Sequence, residues 1–202
     1  IVALSAVLTA AAIMGRPLKV NPSRKLDGVS DDIQNALWYS SIAANSHNTQ
    51  MWSVKLYPNE NRLQISIDES RVLGVVDSEK REAYISLGCY VETMSVAFSA
   101  YGYDTQINCN DLSVQVAYQK RENATVDTVK LSLIDKRHTD KSAYSNGKIE
   151  QKTVTALLSK YSDISLYQNG DENFDYIKRI SMDAVTVQSA NQAYRDELAE
   201  WM

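Results

Sequence analysis

Between Ser78 and Gly102 the sequence reads SEKREAYISLGCYVETMSVAFSAYG, and apolar side chains fall on nearly every side of a helix drawn through it. A helix that is apolar around most of its circumference is predicted to be a central one, enclosed by other elements. Gly102 is well suited to end it, because glycine takes the left-handed conformation of a helix C-cap without penalty. The remaining chain must then supply the layers around this helix. With 202 residues, 44% of them hydrophobic, there is material for one or two compact domains.

The flanking patterns say what those layers are. Residues 30–44, SDDIQNALWYSSIAA, predict a helix, with Ser30 as N-cap and Asp31 and Asp32 behind it. Residues 52–68, WSVKLYPNENRLQISID, alternate apolar and polar on both sides of PNEN and predict a β-hairpin. LSVQVAYQK, 112–120, predicts a third strand. From Val126 a helical stretch leads into a basic cluster, and an amphipathic helix follows over 149–161. A short strand is expected at 164–170, ISLYQNG, and mostly helix from 172 to 202. Helix, hairpin, long helix, strand and a second helical block together make an α+β layout.

A net charge of −4 gives no basis for nucleic acid as a general partner. Charged residues, 23%, are mixed with apolar ones, which argues against disorder. Cys89 and Cys109 share no metal-ligand or redox spacing; Cys89 reads as a small buried hydrophobe, and a disulfide between the two stays open. The first 15 residues, IVALSAVLTAAAIMG, are shorter than the roughly 20 apolar residues a bilayer span needs. Segment 1–17 is read either as the tail of a signal peptide or membrane anchor or as a buried N-terminal helix. The other end, NQAYRDELAEWM, is an amphipathic helix without a stop signal, and the natural chain is expected to continue.

The two histidines, His47 and His138, both sit in polar clusters. KRHTDK, 136–141, brings Arg137, His138, Thr139 and Lys141 together, a set able to neutralise and hydrogen-bond a phosphate. The alternative is a solvated basic turn. NSHNTQ, 45–50, offers Asn45, Asn48 and Gln50, whose amides donate and accept at once and suit the edge of a planar heteroaromatic ring. The alternative is a polar loop of Asx turns feeding a strand. No serine has a base partner and no carboxylate pattern accompanies the histidines, so neither a catalytic residue nor a metal site is expected.

AANSHNTQMW resembles the APS-x-x-N-x-QPW motif of nitroreductase-like FMN proteins, and RHTDK with Tyr144 resembles their R-[RH]-[ST]-x-[RK]-x-x-[FY] phosphate segment. In ordinary members the basic segment precedes the amide segment; here the order is reversed. The reversal is similar to the Acg-type subgroup, in which two nitroreductase-like units are fused as a pseudo-dimer. The resemblance implies a nitroreductase-like fold with a first unit over 18–125 and the start of a second over 126–202. It implies FMN as cofactor, with Arg137, His138, Thr139 and Lys141 on its phosphate side. Asn45, Ser46, His47, Asn48 and Gln50 would then approach the flavin from the other unit. Ala44 and Met51 stand where the family has proline, each leaving the loop less preset by about 0.4–1 kcal/mol. Asn45 replaces a serine, and Lys141 replaces an arginine, keeping charge but losing the bidentate fork.

The activity implied is hydride transfer from NAD(P)H through FMN to a nitro or quinone-like planar acceptor, with a homodimer and an exported or membrane-associated location as accompanying expectations. The alternative is a non-catalytic protein that binds and sequesters FMN.

Overall fold

The structure, a computed structural model, describes residues 25–110, 113–140, 142, 147–161 and 163–201. The expected N-terminal segment 1–17 and Lys141 lie outside the described residues. Among the described residues the elements are α1 (Asp31–Ser40), β1 (Trp52–Tyr57), β2 (Arg62–Ile67), α2 (Arg81–Ala100), β3 (Tyr103–Cys109), β4 (Ser113–Lys120), α3 (Thr128–Lys136), α4 (Gln151–Lys160), α5 (Glu172–Ala190) and α6 (Gln192–Ala199), with single 3-10 turns at Ser46–Asn48, Pro58–Glu60 and Glu69–Arg71. The architecture is α+β, as expected, with a four-stranded sheet in the order β1-β2-β4-β3.

The chain divides into two compact units. One comprises residues up to Ala43 with Val54–Ile65 and Tyr90–Asp135; the other comprises Ala44–Ser53, Ser66–Cys89 and Lys136–Met202. In the first, Ser30 caps α1 as predicted, its hydroxyl accepting from the Ile33 amide at 3.4 Å. β3 and β4 pair antiparallel from Tyr103 opposite Lys120 to Cys109 opposite Val114. Leu63 and Ile65 of β2 and Val116 and Tyr118 of β4 are buried, as are Met94, Ala97 and Phe98 of α2. Phe98, Tyr103 and Tyr118 form a closed ring triad, with centroids 5.4–6.0 Å apart. Tilted and edge-on geometries of this kind add to the plain burial of the rings.

The predicted long helix exists as α2, but it is not enclosed on all sides. Its buried residues, among them Ala83, Leu87, Tyr90, Val91, Met94, Ala97 and Phe98, lie on one broad side, while Tyr84 and Ile85 are 50% and 52% exposed. The apolar count along the helix therefore overstated its enclosure, because its first turns carry apolar side chains on an open face. Cys89, expected to be buried, is half-buried, and neither cysteine forms a disulfide.

The strand expected at 164–170 is absent. The Ile149 amide there donates to the Gln168 side chain (2.8 Å), and the Gln168 amide to Asp171 (2.8 Å), so side chains take the place of a neighbouring strand. The residue pattern gives no expectation of β3, because Asp104, Gln106 and Asn108 are residue types that strands disfavour. It lies at the edge of the sheet, where only Tyr103 is buried. The helix expected over 172–202 is two helices divided at Asn191, whose side chain accepts from the Ala193 amide at 3.0 Å and starts α6.

Gly102 adopts φ +79°, and a Cβ there would collide with the Ala124 side chain. Gly102→Ala should therefore destabilise the chain by about 2 kcal/mol or more, whereas Ser30→Ala should cost about 1 kcal/mol. Urea unfolding of the two variants checks the order.

Candidate functional site

Helix α2 opens on an exposed turn but a buried cap. Asp77, 7% exposed, accepts from the amides of Glu82 (3.0 Å) and Ala83 (2.8 Å). Two of the four N–H groups that a helix start leaves without an internal partner are thereby satisfied, by a negative charge placed at the positive end of the helix.

The amide loop docks against this end of α2. The Ser46 amide donates to the Ser86 hydroxyl at 3.1 Å, and the Ser46 hydroxyl donates to the Glu82 carboxylate. Within the loop, the Asn45 side-chain oxygen accepts from the Gln50 amide (2.9 Å), and the Thr49 hydroxyl donates to the Ser46 carbonyl (3.2 Å). Thr49 is fully buried, while His47 and Asn48 are exposed. His47, Asn48 and Gln50 hold φ values of 49°, 57° and 49°. Non-glycine residues in this left-handed region carry strain that the surroundings must hold, and such residues gather at functional sites.

Between loop and helix lies a cleft of about 250 Å³, lined by Ala44, Asn45, Ser46, Glu82, Ile85, Ser86 and Cys89. Ala44, Ile85 and Cys89 give it apolar lining, and Asn45, Ser46, Glu82 and Ser86 give it hydrogen-bonding groups. The open face of α2 thus supplies one wall, the stripe Glu82–Ile85–Ser86–Cys89. Sequence reasoning missed these four residues, although their i, i+3, i+4, i+7 spacing is that of one helix face.

Arg137, His138 and Thr139 are exposed just past the end of α3. The His138 Nδ1 lies 3.0 Å from the Lys136 carbonyl oxygen, and the Ser142 amide donates to Asp140 at 2.8 Å. Hydrogen bonds from the Ser142 side chain and backbone, with the charge of His138, hold the Asp140 carboxyl below its usual range. His138 and Asp140 bond within their own turn, whereas Asn45, Ser46 and Thr49 bond within the loop, to α2 and to Arg71. Among the described residues no group of three or more His, Cys, Asp or Glu could hold a metal ion, and no helix is long and apolar enough to cross a membrane.

No family model matches the chain. Over 77 residues it is 34% identical to PigM, a probable NAD(P)H nitroreductase of Serratia sp., the stretch covering 38% of this chain. The matched stretch spans about a fifth of that relative's length, 21%. A nitroreductase-like protein of Streptococcus mutans is similar in structure with a TM-score of 0.43 at 14% identity, over 72% of this chain and 91% of that one. The nitroreductase family protein of Streptococcus pneumoniae gives 0.37 at 10% identity, over 51% and 84%.

Two outcomes follow for this unit. Asp77→Ala should cost about 1–2 kcal/mol in urea unfolding, since it strips the cap from a buried helix end. Asp68 is the second carboxylate with a lowered pKa, held down by the Ser70 hydroxyl and then the Ser70 amide. A lowered folded-state value means that its stabilisation is complete above its unfolded value, about 3.9, and is lost as the pH falls through the folded value. Asp68→Asn should therefore lower the urea midpoint at pH 7, with the gap to the unaltered protein closing in acid.

Proposed function

We propose that this chain forms the flavin-facing part of an FMN-dependent oxidoreductase of the nitroreductase type, which passes hydride from NAD(P)H to a nitro or quinone-like acceptor. The 34% identity to a probable NAD(P)H nitroreductase carries this reading. The reversed order of the two motifs supports the fused, pseudo-dimeric arrangement, with the homodimer and the membrane anchor as further proposals.

The chemistry of the cleft supports a planar ligand with a polar edge. Its lining is apolar in part, with the Asn45 amide and Ser46 hydroxyl of the loop facing the Glu82 carboxylate and Ser86 hydroxyl of α2. Pockets that enclose a whole drug-sized ligand run to roughly 300–1,000 Å³, so a space of about 250 Å³ suits the edge of a ring system rather than a complete flavin nucleotide. The phosphate end would fall to Arg137, His138, Thr139 and Lys141, whose charges and donors suit a dianion. When bound, FMN supplies the hydride-accepting ring. The residues of this chain orient it: Asn45 and Ser46 present fixed polar groups, because Gln50, Ser86 and Glu82 hold them. No side chain is required as a proton donor in this reading.

The full-length protein should be yellow, absorbing at about 450 nm, and anaerobic NADH should bleach it. Bound FMN that NADH leaves oxidised would favour the sequestering alternative. A colourless protein that gains no thermal stability from added FMN would sink both. Arg137→Glu should weaken FMN retention by about 10- to 100-fold, since a charged hydrogen bond is replaced by repulsion.

A further inference from the structure

The cleft's two walls, the amide loop and the start of α2, are both tied to one intervening segment, residues 69–77. The Arg71 Nε donates to the Thr49 carbonyl at 2.6 Å, at the base of the amide loop. At the other end of the segment, Asp77 caps α2 next to Glu82, the residue that holds Ser46. The segment forms no strand or long helix of its own. Asp68 caps its first turn, accepting from the Ser70 amide at 3.1 Å.

Helix α6 and the turn that follows it grip the same segment. The Glu197 carboxylate accepts from the Val75 amide at 2.8 Å and from the Val76 amide at 2.7 Å, one oxygen to each. One turn further on, the Trp201 ring lies 5.4 Å from the Arg71 guanidinium, inside cation–π range. Both partners are more than 120 positions away in sequence. A carboxylate bonded to two adjacent amides uses charge-assisted hydrogen bonds, the stronger kind. Arg71 cannot shift without disturbing both the Thr49 carbonyl and the Trp201 ring.

We infer that α6 is a strap that sets the shape of the cleft, with Glu197 and Trp201 fixing the 69–77 segment and Arg71 passing that fixation to the amide loop. Arg71, Glu197 and Trp201 are positioning residues: none lines the cleft, and each acts on it through the 69–77 segment and the amide loop. The left-handed residues His47, Asn48 and Gln50 are what the strap must restrain, and its release lets the loop relax. The inference rests on the flavin reading only for what the cleft holds.

Amide hydrogen exchange of the full protein without ligand tests it. In Glu197→Gln the Val75, Val76 and Gln50 amides should exchange at least about tenfold faster while Val116 in the sheet keeps its rate, the signature of local opening. Trp201→Leu should free Gln50 in the same way, and it carries the test if the first variant does not fold. Arg71→Lys, which keeps charge but loses the planar fork, should free Gln50 and leave Val75 and Val76 unchanged. An unchanged Gln50 amide overturns the inference, as does equal acceleration of Val116, which would mean general destabilisation. If Gln50 responds as described and no form binds FMN, the flavin reading falls and the strap stands.

Discussion

The start of α2 is the point on which the site depends. A helix start leaves amides that the helix itself cannot satisfy, and here the buried Asp77 carboxylate takes two of them. That one group fixes where the first turn sits, and with it the faces on which Glu82, Ile85, Ser86 and Cys89 emerge. Glu82 and Ser86 in turn hold Ser46, so the position of the amide loop is inherited from the cap. An apolar helix of this length would pack somewhere in any case. The cap decides which of its turns faces the cleft.

Much of the fold can be read from the residues because the signals are local. Ser30 before two aspartates, PNEN between alternating runs, and the apolar stretch ending in Gly102 each specify structure within a few positions. The failures have equally physical causes. β3 alternates Tyr103, Thr105, Ile107 and Cys109 with polar residues, but an edge strand buries little and tolerates Asp104 and Asn108, which a sheet interior disfavours. Segment 164–170 has the alternation of a strand and no partner, and Gln168 and Asp171 satisfy its neighbours instead. The split between α5 and α6 turns on a single asparagine serving as a cap.

The site divides along the same line. The amide loop stands out because asparagine, histidine and glutamine are concentrated there, and of its left-handed positions Asn48 is the residue type that takes that backbone most readily. Its wall on α2 went unnoticed since Glu82, Ile85, Ser86 and Cys89 look like any helical stripe until the loop is placed against them. Arg71 and Glu197 carry no local mark at all: their partners are backbone groups distant in the chain. Sequence patterns report which groups could bind a ligand more readily than which groups keep them in place.

The edge strand has a consequence for the behaviour of the molecule in concentrated solution. β3 ends the sheet, and an unprotected border of backbone donors and acceptors invites other chains to add on. Asp104, Gln106 and Asn108 place charge and hydration along that border, and an ion pair from Arg121 to Asp104 at 2.7 Å adds a bulky charged guard beside it. The polar character that hid this strand from a hydrophobic pattern is thus also a barrier to fibrous accretion.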